Sequence, residues 1–203
     1  LPKAAPDPQQ NHDFIFEEAN MTRISLLLLV LVLSSATAAH AQAQAPKPDP
    51  ELKKLSVFVG HWTYEEDWKA GPLGPGGRMT GVYDAHMILG GFFLQAEQTE
   101  KGAMGEIRNL EVDAYDPVNK NFTSDTYLSD GTKSSFTITV SGNTITWAGT
   151  LTFAGKQYQF KDPMVFAPDF MSATAKAEIS VDGKTWTPAY EGKWTKAKPA
   201  PKK

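Results

Sequence analysis

The sequence predicts an all-β protein, an antiparallel up-and-down barrel of about ten strands preceded by a short N-terminal helix. Three observations predict it. From His61 onward apolar and polar residues alternate with period two. Turn residues interrupt that alternation about every eight to twelve positions. No segment is long enough for the helical crossover that a parallel pair requires. The 203 residues correspond to one domain at roughly 100–200 residues each. With 41% hydrophobic and 21% charged residues, the chain is too apolar for disorder and too polar for an integral membrane protein. A formal charge of −3 gives no electrostatic reason to expect nucleic acid as partner. The absence of cysteine excludes disulfides, thiolate metal sites and cysteine nucleophiles.

The N-terminal part reads as a leader. The apolar run Ile24 to Leu33 is half the roughly 20 residues a membrane-spanning helix needs. It follows Met21-Thr22-Arg23 and runs into small residues ending Ala39-His40-Ala41, an A-x-A cleavage signal. The expectation is a secretory signal peptide over 21–41, cut after Ala41 or, in the overlapping Ala41-Gln42-Ala43, after Ala43. Residues 1–20 set Lys3 against Asp7, Asp13, Glu17 and Glu18, the wrong charge for an export n-region. Met21 is therefore taken as the start, and 1–20 as an over-extended gene model or a disordered leader. The segment 1–41 carries two basic and four acidic side chains, which leaves 18 and 19 and a mature charge of −1. Pro46, Pro48 and Pro50 mark a linker over 42–50, and 197–203 reads as a frayed basic tail. With no cysteine to acylate, the expected location is periplasmic or secreted, free of a lipid anchor.

Asp49-Pro50-Glu51 supplies a cap, a first-turn proline and an acid at the positive end of a helix dipole. Leu52, Leu55, Phe58 and Val59 then share one face, and Gly60 stops the helix. Nine turns follow: Gly71 to Gly77, Gly90-Gly91, Lys101 to Gly105, Asp116 to Asn119, Asp130-Gly131, Gly142-Asn143, Gly155, Pro168-Asp169 and Asp182-Gly183. Several are hairpin dipeptides, so consecutive strands are antiparallel neighbours, and closing into a barrel hides the edges. Alternation puts Trp62, Tyr64, Trp68, Tyr83, Leu94 and Ala96 on the inner face. It continues with Leu110, Val112 and Ala114, then Ile138, Trp147 and Phe160, and ends with Trp186, Tyr190 and Trp194. Glu65, Asp67 and the threonines of 137–152 take the outer face. The alanines at 173, 175 and 177 either leave a cavity or make room for the indoles.

Phe58-Val59-Gly60-His61-Trp62, Gly74-Pro75-Gly76-Gly77, Gly90-Gly91-Phe92-Phe93-Leu94, Tyr115-Asp116-Pro117, Asp182-Gly183-Lys184-Thr185-Trp186 and Glu191-Gly192-Lys193 occur in one order over about 51–196. In this the chain resembles domain-of-unknown-function family 1579. The resemblance implies a lipocalin-like barrel of the calycin type, whose members commonly bind fatty acids, retinoids, haem or other small apolar molecules. It implies no catalytic residues. The haem-binding relatives of that group hold iron through a late histidine, and here no histidine follows His86.

The expected ligand-binding set is the aromatic inner face: Trp62, Tyr64, Trp68, Tyr83, Trp147, Tyr190 and Trp194. Glu66 lies on the inward phase among rings, where a carboxylate's pKa rises and it suits a general acid or the recognition of an amine. His86, opposite Gln95, and Glu97, opposite Asp84, are the other catalytic candidates. Asp84, Glu97 and Glu111, with Asp113 nearby, would form a weak oxygen-ligand metal site if one face holds them all. The plainer reading is a solvated outer face. His61 is read as a surface residue, and the glycine-rich 71–77 loop as a portal lid or a long turn. The leading expectation is an exported, monomeric or weakly dimeric barrel binding a small apolar or amphipathic molecule, without cofactor, nucleic-acid partner or membrane span. Its rivals are a carboxylate- or metal-dependent enzyme and a solid-core envelope interaction module.

Overall fold

The computed structural model describes residues 46–198, so the expected leader, its cleavage site and the end of the tail lie outside the described residues. The ten strands are β1 Gly60–Trp68, β2 Gly77–Ile88, β3 Phe93–Gly102, β4 Gly105–Asp116 and β5 Asn121–Leu128, then β6 Lys133–Ser141, β7 Thr144–Phe153, β8 Lys156–Phe166, β9 Ser172–Ser180 and β10 Thr187–Lys196. Each pairs antiparallel with the next. β10 returns to β1, with Tyr64 opposite Trp194, and the barrel closes without an edge. The turns are built by short acids: Asp116, Asp130, Asp169 and Asp182 each accept the backbone N–H two residues on, at 2.8–3.0 Å.

Residues Pro50–Phe58 form 3-10 turns, with the Asp49 carboxylate accepting from the Glu51 N–H at 2.9 Å. Leu52, Leu55 and Phe58 are buried, and the Phe58 ring stands edge-on to Trp147, Phe166 and Tyr83. The segment's last carbonyls have partners from both ends of the barrel sequence. Trp62 Nε1 donates to the Phe58 oxygen at 2.9 Å, and Lys196 Nζ to the Val57 oxygen at 2.8 Å. At the other end of the barrel, Gly71 and Gly74 exchange backbone hydrogen bonds and turn Leu73 inward, where it is buried. The Tyr158 hydroxyl fastens this loop by donating to the Pro72 oxygen at 3.3 Å.

Two expectations about faces are corrected. Trp186 belongs to the β9–β10 loop and is 39% exposed, because β10 begins only at Thr187. In β4 the phase is reversed: Leu110, Val112 and Ala114 point outward, while Asn109, Glu111 and Asp113 point inward. The cause is the β3–β4 turn. Gly102 pairs with Gly105 across only Ala103 and Met104, so the inward Ala96 and Gln98 stand opposite Glu111 and Asn109. Since a one-residue change of register flips every side chain, the tight turn decides the face against the hydrophobic pattern.

Candidate functional site

Cross-strand neighbours share a face, so the pairing delivers a set of acids to the interior. Glu66 of β1, Glu100 of β3, Glu111 and Asp113 of β4 and Asp162 of β8 all point inward. Aromatic donors hold four of them. The Tyr190 hydroxyl donates to Asp162 Oδ2 at 2.7 Å, Tyr83 to Glu111 Oε1 at 3.1 Å and Tyr64 to Glu100 Oε2 at 3.3 Å, while Trp68 Nε1 donates to Glu66 Oε2 at 3.0 Å. Gln98 extends the network, donating to the Tyr64 oxygen at 2.5 Å and accepting from Asn109 at 3.0 Å.

These groups surround a cavity of about 170 Å³. Glu66, Glu100, Glu111 and Asp162 line it, with Trp68, Tyr83, Trp147, Tyr190 and Trp194 among the rings, Leu73 and Phe58 also in its wall, and no lysine, arginine or histidine. Four buried atoms of wall residues have no hydrogen-bond partner: Asp162 Oδ1, Asn109 Oδ1, Trp147 Nε1 and Trp194 Nε1. Asp162 and Trp147 are paired across β7 and β8. The two oxygens are acceptors and the two indole N–H groups donors.

Burial disfavours the ionised form of every one of these acids. It is the main cause that lifts Glu100 and Glu111 to about 7 and Asp162 to about 6. Glu66 is pushed well above the ordinary carboxylate range by burial and then by Glu100 and Asp162; Asp113 is pushed up by burial and then by Glu111. Arrangements of this kind collect at functional sites.

Of the expected ligand-binding aromatics, Trp68, Tyr83, Trp147, Tyr190 and Trp194 line the cavity. Trp62 and Tyr64 lie outside its wall. Trp62 packs at the Phe58 end, and Tyr64 stacks on Trp194 at 4.1 Å. The alanines of β9 make room for rings: Ala173 is opposite Trp194 and Ala177 opposite Tyr190, and none of the three borders the cavity. Glu66 is buried in the wall as its phase implied. His86 and Glu97 are exposed on the outer face, opposite Gln95 and Asp84 as expected. His61 is also outside, its Nδ1 2.7 Å from Asp84 Oδ1. The metal candidates separate, since Asp84 and Glu97 face out while Glu111 faces in. Among the described residues no group of three or more histidine and carboxylate side chains is placed to hold an ion. Sequence reasoning missed Glu100 and Asp162, although both are in phase with inward residues it identified, Ala96 and Phe160.

Comparison with known proteins places the fold and leaves the chemistry open. No curated protein matches the chain in sequence. A solved structure, that of Rv2717c from M. tuberculosis, superposes with a TM-score of 0.54 at 13% identity, covering 75% of this chain and all of that one. That likeness is one of fold. The sequence model of a family described as a protein of unknown function, DUF1579, matches residues 47–198, nearly all of the described part, and the chain belongs to this family.

Proposed function

We propose that the barrel binds one small, largely apolar molecule in its interior, in the manner of lipocalin-like carriers. The observation that carries this reading is the cavity itself, walled by rings between Phe58 and Leu73 and retaining four polar atoms without partners. A barrel of this strand number is wide enough to hold one small ligand. An apolar cavity of about 150 Å³ takes up benzene, so about 170 Å³ corresponds to a molecule built on a single ring, well below haem or a retinoid. The cavity also weighs against a barrel filled solid by its own side chains. Entry would be past Leu73, whose loop is fastened at Pro72 by the single Tyr158 hydrogen bond.

The test is titration of the purified protein with single-ring compounds, followed by tryptophan emission and by melting temperature. Trp147 and Trp194 stand in the wall, so occupancy should change emission and raise the melting temperature. No response to any compound at millimolar concentration would sink the reading. Export is part of the same proposal, supported by the leader pattern of Met21 to Ala41. N-terminal sequencing of protein recovered from the periplasm or medium should begin at Gln42 or Gln44, and protein retained in the cytoplasm with an intact leader would refute export.

A further inference from the structure

The binding reading says nothing about the ligand's charge, but the wall does. We infer that the molecule this cavity is built for is an organic cation, an amine or amidinium on a small ring-bearing body, with its positive group against Asp162 and Glu66 and its ring among the indoles.

Four carboxylates face the space and, among the described residues, no basic side chain answers them. An anionic ligand would meet repulsion from each of these acids that is ionised, and a neutral one could give Asp162 Oδ1 a hydrogen bond but no countercharge. The aromatic hydroxyl and indole donors orient each acid through one oxygen. At Asp162, a residue of the cavity wall, the Tyr190 hydroxyl takes Oδ2 and leaves Oδ1 without a partner. Trp147, Trp194 and Tyr190 line the same space, and an aromatic wall offers a second attraction specific to cations. The reversed phase of β4 points the same way, because a core built only for packing would turn Leu110 and Val112 inward and leave Glu111 and Asp113 outside. The groups facing the cation are Glu66, Glu100, Glu111 and Asp162, the Tyr83 and Tyr190 hydroxyls and, behind them, Asp113 and Tyr64. None is a base of the Lys, Arg or His type. Since burial holds these acids partly protonated, a cation that enters releases a proton from the wall.

The inference rests on the binding reading, and three probes separate the two: 2-phenylethylamine, 2-phenylethanol and phenylacetate, compared by calorimetry. At about pH 8 the amine should bind at least about tenfold more tightly than the alcohol, and phenylacetate not measurably. The preference should shrink toward about pH 5 as the wall takes up protons, and heats measured at about pH 7 in buffers of different ionisation enthalpy should report proton release. Asp162→Asn should abolish the preference while leaving the alcohol's affinity in place. Should that variant fail to fold, Glu66→Gln and the wild-type pH series carry the same test. Equal or tighter binding of the alcohol, or binding of phenylacetate, overturns the cation while the binding reading stands. If none of the three binds, both fall.

Discussion

Tyr64 shows how single glycines shape the interior. Its ring stacks on Trp194 with an interplanar angle of 11°, and its other side lies over Gly81, its cross-strand partner. A Cβ at Gly81 would come within 2.2 Å of the Tyr64 ring. The ring is held between two strands and has nowhere to move, so Gly81→Ala should destabilise by about 1–3 kcal/mol, measured by urea unfolding. At Gly192 an added Cβ would meet Glu66 Cγ at 2.8 Å. There the obstacle is a flexible side chain beside open space, and Gly192→Ala should cost less than Gly81→Ala. Tyr190→Phe isolates a different term. Its hydroxyl hydrogen bond favours the ionised form of Asp162, which titrates near 6. Removing it should raise that value and, above it, cost about 1–3 kcal/mol for a buried acceptor left unpaired. Side-chain carboxyl resonances followed by NMR against pH would reveal the shift, and an unchanged titration would show that the bond does not bias Asp162.

Among the elements, β4 carries the most information. Its outward Leu110 is 36% exposed, and its partner across β3–β4 is the exposed Glu97. Leu110→Gln should therefore alter stability by no more than about 0.5 kcal/mol. Leu94→Ala, on the inward face of β3, should cost about 2–5 kcal/mol. Comparable losses from the two would contradict the reversed phase. Most of the architecture was legible in the sequence, since each of the nine turn signals marks a junction between successive strands and period-two alternation assigns the inner faces of β1, β2, β3 and β7. Phase was lost where a turn is shorter than its residues suggest. Lys101 to Gly105 reads as a loop, yet the ladder runs through Gly102 and Gly105, and no local signal distinguishes the two. The same error hid two of the five interior acids: Glu111 and Asp113 look like surface acids because an apolar residue separates them. Helical spacing in Leu52, Leu55 and Phe58 likewise does not distinguish α from 3-10 turns, which bury the same three side chains.

For the molecule as a whole, the interior acids set how stability varies with pH. In the unfolded chain they titrate near about 4, and in the barrel Glu100 and Glu111 titrate near 7 and Asp162 near 6, with Glu66 and Asp113 also raised. Between those values the folded state binds more protons than the unfolded state, so stability falls as pH rises from about 4 toward 8. The turn acids act with the opposite sign. Asp182, held at about 2 chiefly by the backbone N–H of Thr185, favours folding above about 4 and loses that advantage as pH falls through its folded value. The melting temperature should therefore peak on the acid side of neutrality, at about pH 4, and decline in both directions. Glu100→Gln keeps an oxygen for the Tyr64 hydroxyl and removes the group that must ionise in a buried place. At one pH unit per about 1.4 kcal/mol, it should melt above the wild type at about pH 8, by the equivalent of a few kcal/mol, and approach it at about pH 4. A flat wild-type profile between these limits, or a variant destabilised equally at both, would mean that water or relaxation in the cavity already supports the ionised acids, and that the barrel needs no proton or cation to hold them.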